Sequence, residues 1–76
     1  MGEQTLGQRR VRVAFNPSAD STVDQIKAKS AELIDLCESL KDPPGPSEKN
    51  RLIALAQTNY EDAAMWAVKA ATTPKD

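Results

Sequence analysis

The chain has 76 residues, with ten basic and eleven acidic side chains and a formal charge of −1. This near balance excludes the strong basic excess typical of proteins that bind long nucleic acids. With no histidine and only one cysteine, the sequence offers neither a disulfide within the chain nor a set of zinc ligands. No stretch approaches the roughly 20 apolar residues that a membrane span needs, so we expect a cytoplasmic protein without a cofactor.

A chain of this length forms at most one domain and buries only about 60% of the surface that its unfolded form exposes. The core should be thin, because phenylalanine, tyrosine and tryptophan each occur once. Small domains of this kind are commonly stabilised by disulfides, metals or partner chains. Only the last route is open here, so the sequence predicts self-association.

The first predicted element is an extended N-terminal arm, which together with a turn covers residues 1–20. Arginine recurs at Arg10 and Arg12, and the apolar side chains of Val11, Val13 and Phe15 alternate with them. In an extended segment this alternation places guanidinium groups on one side and apolar groups on the other. The asparagine, proline and serine that follow predict the turn.

Residues 21–76 are predicted to form a helical hairpin. Ser21 and Asp24 fit a capping box, with Ser21 as N-cap of a helix over about residues 22–40. A proline-rich stretch then stops the helix, and Ser47 is expected to cap a second helix over about residues 48–71. The predicted fold is therefore all-α, an antiparallel two-helix hairpin with an N-terminal extended arm.

Apolar spacing predicts which helix faces are buried. The first helix has one apolar face, which Ile34 and Leu36 widen into either one broad apolar stripe or a surface that contacts two neighbours. The second helix has two adjacent apolar faces. The face of the first helix comprises Val23, Ile26, Ser30, Leu33, Cys37 and Leu40. Those of the second comprise Leu52, Ala56, Asn59, Ala63, Trp66 and Ala70, and Ile53, Tyr60, Ala64, Ala67 and Ala71. A lone hairpin has no second layer to cover so many apolar side chains, which favours a compact homo-oligomer.

The side-chain inventory argues against catalysis and for anion binding. No serine or cysteine has a histidine partner, so no activated nucleophile is available. Arginine forks suit phosphate groups, lysines near a helix N-terminus add charge, and Phe15 offers a flat face for a base. We take Arg9, Arg10, Arg12, Lys27 and Lys29 as candidate phosphate contacts. The arginines could instead only keep an exposed edge soluble, and Phe15 could pack against the first helix.

Two segments carry a resemblance to a known family. They contain the Ile26-Lys27 dipeptide early in the first helix and the pattern R-L…A-x-T…M-x-A-x-x-A in the second, from Arg51 to Ala70. Over residues 9–74 the chain resembles the phage-encoded anti-CBASS sponge proteins and, in its hairpin, the related Thoeris anti-defence sponges. The resemblance implies a homohexamer that sequesters cyclic dinucleotides without cleaving them. It also implies a separate set of pockets that can hold cyclic trinucleotides. It also implies action in the cytoplasm of the bacterial host.

The resemblance also implies roles for individual residues. Lys27 matches the phosphate-contacting lysine of the family, and the polar side chain after it is either Lys29 or Ser30. Phe15 takes the place of an N-terminal aromatic, usually tyrosine, that stacks on a base. Polar positions of the second helix are matched by Arg51, Thr58 and Asn59, which could belong to either pocket set or to the oligomer interface.

Two other functions compete with the sponge hypothesis. A helical-hairpin module that binds another protein, with no nucleotide ligand, would explain the wide apolar faces equally well. It would give the stretch from Arg9 to Phe15 no particular task. Non-specific RNA or DNA binding through the arm is disfavoured by the formal charge of −1.

Overall fold

A computed structural model describes residues 3–16, 20–42 and 45–74. Three helices make up the fold in these ranges, α1 (Leu6–Arg10), α2 (Ser21–Glu38) and α3 (Glu48–Ala71), and no strand occurs among them. The prediction of an all-helical hairpin protein is confirmed at this level. Within the same ranges, no helix is both long enough and apolar enough to cross a membrane.

The N-terminal segment, defined here as residues 5–16, is helical where an extended arm is predicted. Thr5 and Gln8 form a capping box: the Thr5 hydroxyl accepts from the Gln8 amide at 3.1 Å, and the Gln8 side chain accepts from the Thr5 amide at 2.9 Å. These two bonds satisfy free donors in the first turn of α1 and fix the helix start. The prediction of an extended arm is therefore wrong for residues 6–10.

A tight turn follows α1 and ends at residue 14. Val11 is 7% exposed and belongs to the core, Val13 packs against that core, and Phe15 is 60% exposed. Arg12 has a φ of 55°, a left-handed backbone conformation that costs an ordinary residue about 1 kcal/mol or more. The inward placement of two valines thus arises from a helix and a turn, and not from strand alternation.

The N-cap of helix α2 lies one residue before the predicted cap. Asp20 is the N-cap, and its carboxylate accepts from the Thr22 amide at 2.8 Å, so the prediction of Ser21 as N-cap is wrong. Asp24 instead accepts a hydrogen bond from the Asn16 side chain at 2.8 Å, which ties the helix to the N-terminal segment. The helix ends at Glu38, because the residues after it form a turn.

Helix α3 begins where its cap is predicted. The Ser47 side chain accepts from the Asn50 amide at 3.0 Å, which confirms Ser47 as N-cap. Beside this cap, Lys49 forms an ion pair with Asp42 at 3.3 Å and the Asn50 side chain accepts from the Asp42 amide at 3.3 Å. These contacts hold the start of α3 near the end of the preceding helix.

Helices α2 and α3 pack as an antiparallel pair. Gln57 of α3 contacts Ile34 of α2, and the later residue Ala64 packs in one cluster with the earlier residue Ala31. The contacts thus run forward along α3 and backward along α2. Gln57 is 2% exposed, and its side-chain amide donates to the Ile34 carbonyl at 3.1 Å and to the Glu38 carboxylate at 2.9 Å. Because this buried amide donates to two acceptors on α2, it fixes the register of α3 against α2.

The buried face of α2 matches the predicted one only in part, at Val23 and at Ile34, which widens the predicted face. Val23, Lys27, Ala31 and Ile34 are the buried residues, whereas Leu33 is 41% exposed. On α3, the buried residues include Ile53 and Ala64 of the second predicted face. The helix pair uses these two faces, and Ile26 and Tyr60 pack against the same core. Seven large apolar side chains of the hairpin are exposed in the single chain, and we call them the outer apolar face: Leu33, Leu36, Leu40, Leu52, Leu55, Met65 and Trp66.

Helix α1 reaches α2 through a backbone contact at Gly7. A Cβ atom on Gly7 would lie 2.9 Å from the Ala31 Cα and closer still to the Ala31 carbonyl oxygen. The Gly7 amide donates to the Asp35 carboxylate at 2.7 Å. Only glycine allows this approach, so Gly7 sets the position of the N-terminal segment on the hairpin.

Candidate functional site: a cationic cleft at the N-terminal segment

A cleft of about 480 Å³ lies where the turn after α1 meets α2 and α3. Its floor is formed by the helix pair and its rim by the N-terminal segment. The lining residues are Arg10, Val11, Arg12, Lys27, Glu61, Ala64, Met65 and Val68. Three elements that are distant in sequence therefore build this cleft.

Lys27 is buried at the back of the cleft, with 5% of its surface exposed. Its ammonium donates to the Arg12 carbonyl at 3.0 Å and also to the Phe15 carbonyl. The nitrogen lies 5.3 Å from the centroid of the Phe15 ring, within the range of a cation–π contact. Lys27 thereby holds the turn on α2, and its charge is compensated by carbonyl dipoles, with no carboxylate partner among residues 3–16, 20–42 and 45–74.

The Arg12 carbonyl is the centre of this turn. It accepts from the Phe15 amide at 2.9 Å in addition to the Lys27 ammonium. The left-handed backbone at Arg12 lets one oxygen serve both donors, and it places the Arg12 side chain on the cleft wall. Backbone strain at a site-lining residue persists only when surrounding contacts fix it, as Lys27 does here.

Arg10 crosses from the N-terminal segment to α3. Its Nε donates to the Glu61 carboxylate at 2.6 Å, and its Nη2 lies 3.4 Å from the Thr58 hydroxyl oxygen. The Arg10 and Glu61 side chains are 25% and 34% exposed, so the ion pair is partly shielded from water. This pair lies at the cleft wall and leaves Nη1 of Arg10 without a hydrogen-bond partner among the described residues.

The charge pattern of the cleft suits an anion with apolar parts. Among the described residues that line it, Arg10, Arg12 and Lys27 are cationic and Glu61 is the one acid, while Met65 and other apolar side chains complete the wall. No group of acidic or cysteine side chains that could hold a metal ion occurs in the part of the chain that the structure describes. The arrangement can bind phosphate groups next to a flat apolar group.

The sequence-predicted site residues divide into two groups. Arg10, Arg12 and Lys27 line the cleft, and Phe15 lies beside Lys27 with its ring exposed. Thr58 is reached by Arg10, and with Asn59 it also lines a smaller adjoining hollow of about 180 Å³. The others lie outside the cleft lining: Arg9 and Lys29 are exposed, and Ser30 is half-buried on α2.

Arg51 lies in the first turn of α3 and is not among the cleft residues. It donates to both oxygens of Glu48, at 2.8 and 2.6 Å. This hydrogen bonding raises the pKa of the Arg51 guanidinium and lowers the pKa of the Glu48 carboxyl. The structure thus separates Arg51 from the cationic cleft, and a ligand role for it remains a prediction.

Sequence reasoning missed two residues that shape the cleft. Gly7 does not stand out as a contact point, although the Thr5–Gln8 capping box signals a helix around it. Glu61 is not predicted as a site residue, and its ion pair with Arg10 spans 51 positions of sequence. No local pattern could have revealed that contact.

Comparison with known proteins yields one family match. The family model described as the Acb2/Tad1 hairpin domain matches residues 7–72. The matched range includes most of α1, the turn after it and both long helices, and therefore every residue that lines the cleft. No curated protein and no solved structure gives a match.

Proposed function

Since the chain belongs to the Acb2/Tad1 hairpin-domain family, the anti-CBASS and anti-Thoeris sponges, we propose that it captures cyclic oligonucleotide immune messengers. The family binds such ligands and does not cleave them. Capture would lower the free messenger in the host cytoplasm below the level that activates an effector. We propose cyclic dinucleotides as the ligands of the cationic cleft, with cyclic trinucleotides as possible ligands of a second region.

One observation supports this proposal most strongly: Arg10, Arg12 and Lys27, from separate elements, gather at one cleft beside the exposed Phe15 ring. Phosphodiesters carry permanent negative charge that guanidinium forks bind well. An exposed aromatic face gives a base a stacking surface worth about 1–3 kcal/mol. Cyclic dinucleotides present both groups in one small molecule.

Lys27 has a specific part in the proposal. In the free chain its ammonium is bound to the carbonyls of Arg12 and Phe15. A phosphate contact would use the remaining proton of the ammonium group, which has three donors in total. Lys27 would then join the turn to the ligand, and the exposed Phe15 ring, whose centroid is 5.3 Å from the same nitrogen, would offer the stacking surface.

We propose further that the protein acts as a homo-oligomer, a hexamer by resemblance to its family. The outer apolar face supports self-association, because Leu36, Met65 and Trp66 each remain more than 60% exposed in the single chain. The Cα atoms extend only 12 Å along the thinnest axis of the molecule. A second copy would cover this face and could deepen the cleft, which is open on a single chain.

The proposal is tested by calorimetric titration of the purified protein with a panel of cyclic di- and trinucleotides. The bound ligand is then recovered after denaturation of the protein and identified by mass. We expect tight binding at well below one ligand per chain, with the ligand returned intact. Binding of no panel member by a well-formed oligomer would favour a protein-interaction module, and recovery of a linear product would indicate an enzyme.

Two arginine variants locate the binding region. Arg12→Gln removes a cleft cation and should weaken cyclic dinucleotide binding about tenfold, as expected for a charge-assisted hydrogen bond. Arg51→Gln is the matched control, since it removes an arginine that lies outside the cleft. It should leave dinucleotide affinity unchanged. An effect of Arg51→Gln on trinucleotides alone would support a second pocket set.

A further inference from the structure

The Arg10–Glu61 ion pair sets a condition on any ligand of the cleft. At 2.6 Å the Glu61 carboxylate occupies the Nε donor of Arg10, the guanidinium that enters the cleft from the N-terminal segment. In the part of the chain that the structure describes, Glu61 is also the one acid that lines the cleft. In the free chain, the cleft therefore already contains an anion that belongs to the protein.

We propose that Glu61 is a specificity-determining residue that acts as an internal competitor for Arg10. A phosphate that approaches the guanidinium must either displace the Glu61 carboxylate or accept its repulsion. A ligand without ionised phosphate offers Arg10 nothing that Glu61 does not supply already. This inference rests on the proposed anion-binding function of the cleft and adds a selection rule to it.

The position of the pair supports competition over a purely structural role. Both side chains are partly exposed, and such pairs contribute little to stability, typically below about 1 kcal/mol. The N-terminal segment has other attachments to the hairpin at Gly7, Lys27 and Asn16. Arg10 also has an uncharged partner, the Thr58 hydroxyl, which lies one helical turn before Glu61. This contact can remain when the Glu61 carboxylate moves away.

Glu61→Gln separates competition from positioning. Glutamine keeps the length of the side chain and an oxygen that accepts from Arg10 Nε, so the guanidinium keeps its orientation. It removes the negative charge that competes with phosphate. Glu32→Gln makes the same chemical change at an exposed position of α2 outside the cleft lining, and it controls for the altered net charge.

The experiment titrates the full-length wild type and both variants with cyclic di-adenosine monophosphate, cyclic di-guanosine monophosphate and inorganic pyrophosphate. Pyrophosphate carries charge without bases and reports on the cleft cations alone. We expect Glu61→Gln to bind these anions about five- to tenfold more tightly than the wild type. Its affinity should also fall more steeply with added salt, because the cleft has gained net positive charge. Glu32→Gln should behave as the wild type.

The outcomes distinguish this inference from the proposed function. Equal affinity of Glu61→Gln and the wild type for pyrophosphate would overturn the competitor role, and weaker binding would show that Glu61 positions Arg10 or contacts the ligand. Failure of both cyclic dinucleotides with every variant would overturn dinucleotide capture. If both dinucleotides fail, tighter binding of pyrophosphate by Glu61→Gln than by the wild type would still support the competitor role of Glu61. If no variant binds pyrophosphate, the competitor role is overturned. An equal gain in Glu32→Gln would reduce the effect to general electrostatics and also overturn it.

Discussion

The helical hairpin and the N-terminal segment are specified in different ways. In the hairpin, α2 and α3 have 18 and 24 residues, each with its own N-cap and an apolar stripe. Helix α1 has five residues, which is too short for a helix to be stable alone in water. Its position depends on contacts with distant residues of the hairpin. Local sequence signals therefore specify the two helices of the scaffold, whereas contacts between residues distant in sequence specify the site.

The contacts that attach the N-terminal segment are few and chemically distinct. Gly7 provides a close backbone approach, Lys27 binds two carbonyls of the turn, and Arg10 pairs with Glu61. The same contacts place the cleft cations. Substitutions here should therefore displace the N-terminal segment and the site while the two long helices stay paired, and substitutions between α2 and α3 should weaken the hairpin while the segment stays in place.

The largest effect is expected from Gly7→Ala. The added methyl group would clash with the Ala31 backbone, which has no flexible end that could move aside. Overpacking of this kind costs about 1–3 kcal/mol, and the upper end applies to a backbone contact. We expect α1 to detach, with hydrogen exchange of amides 7–15 accelerated and dinucleotide binding lost. Hydrogen-exchange mass spectrometry and titration measure both effects.

Gly45→Ala is the matched control for this experiment. Gly45 has a φ of 140° in the connection between the long helices, and a Cβ atom added there would have no described atom within 4 Å apart from those of Gly45 and its two chain neighbours. Its substitution should lower stability through backbone strain in the loop. Amides 7–15 should exchange as in the wild type. Acceleration of these amides by Gly45→Ala would contradict the independence of the two regions.

Lys27→Met should have the second largest effect. Methionine fills a similar volume but cannot bind the carbonyls of Arg12 and Phe15, so the turn loses both hydrogen bonds. We expect a loss of about 2 kcal/mol in unfolding free energy. The left-handed conformation at Arg12 should relax, and cyclic dinucleotide affinity should fall at least tenfold. Urea unfolding and calorimetric titration provide the measurements.

Lys29→Met serves as the control for the Lys27 variant, because Lys29 is exposed on the same helix. Its stability should differ from that of the wild type by less than about 0.5 kcal/mol. Equal losses in the two variants would mean that the buried ammonium contacts contribute nothing specific. A stable Lys27→Met chain that still binds dinucleotides would contradict both roles assigned to Lys27.

Gln57→Leu tests the hairpin side of the comparison with a smaller expected effect. Leucine would leave the Glu38 carboxylate without its Gln57 donor and remove the bond to the Ile34 carbonyl. We expect the unfolding free energy to fall by about 1 kcal/mol. Exchange of amides 7–15 in the native state should be unchanged relative to the wild type. Selective acceleration there would show that the two regions are coupled.

The smallest expected effect concerns pH. The Gln57 hydrogen bond, followed by that from Lys41, lowers the pKa of the Glu38 carboxyl below its ordinary value of 4.5. A carboxyl with a lowered pKa in the folded state stabilises the fold above its unfolded pKa, and this contribution is lost as the pH falls through the folded value. Because Glu38 is about 41% exposed, screening limits the effect to about 0.5 kcal/mol or less.

Glu38→Gln provides the comparison for this prediction. The wild type should be more stable than the variant at pH 7, and the difference should be smaller at pH 3, which lies below the ordinary carboxyl pKa of 4.5. Urea unfolding of both proteins at the two pH values measures it. A difference that persisted or grew at low pH would contradict the assigned charge interaction.

The sequence supports the hairpin scaffold better than it supports the site. Ser47 is recognisable as a cap because its hydroxyl serves the helix that directly follows it. The sequence predicts Ser21 as the N-cap of α2, but the N-cap is Asp20. Aspartate and serine can both cap a helix, and the backbone conformation decides which of the two does so. In the N-terminal segment, alternation of arginine with apolar residues predicts an extended arm. The Thr5–Gln8 capping box is the local signal that favours the helix instead.

The buried faces show why periodicity alone is insufficient. On α2 the apolar spacing favours Leu33, yet Lys27 and Ala31 are buried and Leu33 is exposed. A small residue is required where Gly7 approaches, and a lysine is buried because two carbonyls compensate its charge. Both requirements come from the N-terminal segment. A pattern within one helix cannot report what packs against it.

The most direct test of the account compares hydrogen exchange of the wild type with and without saturating cyclic dinucleotide. Ligand binding in the cationic cleft should protect amides of residues 9–15 and the stretch of α3 from residue 58 to residue 68. The first turn of α3 around Arg51 should exchange as in the free protein. Protection confined to that first turn, or absent from residues 9–15 despite bound ligand, would contradict the assignment of the cleft as the capture site.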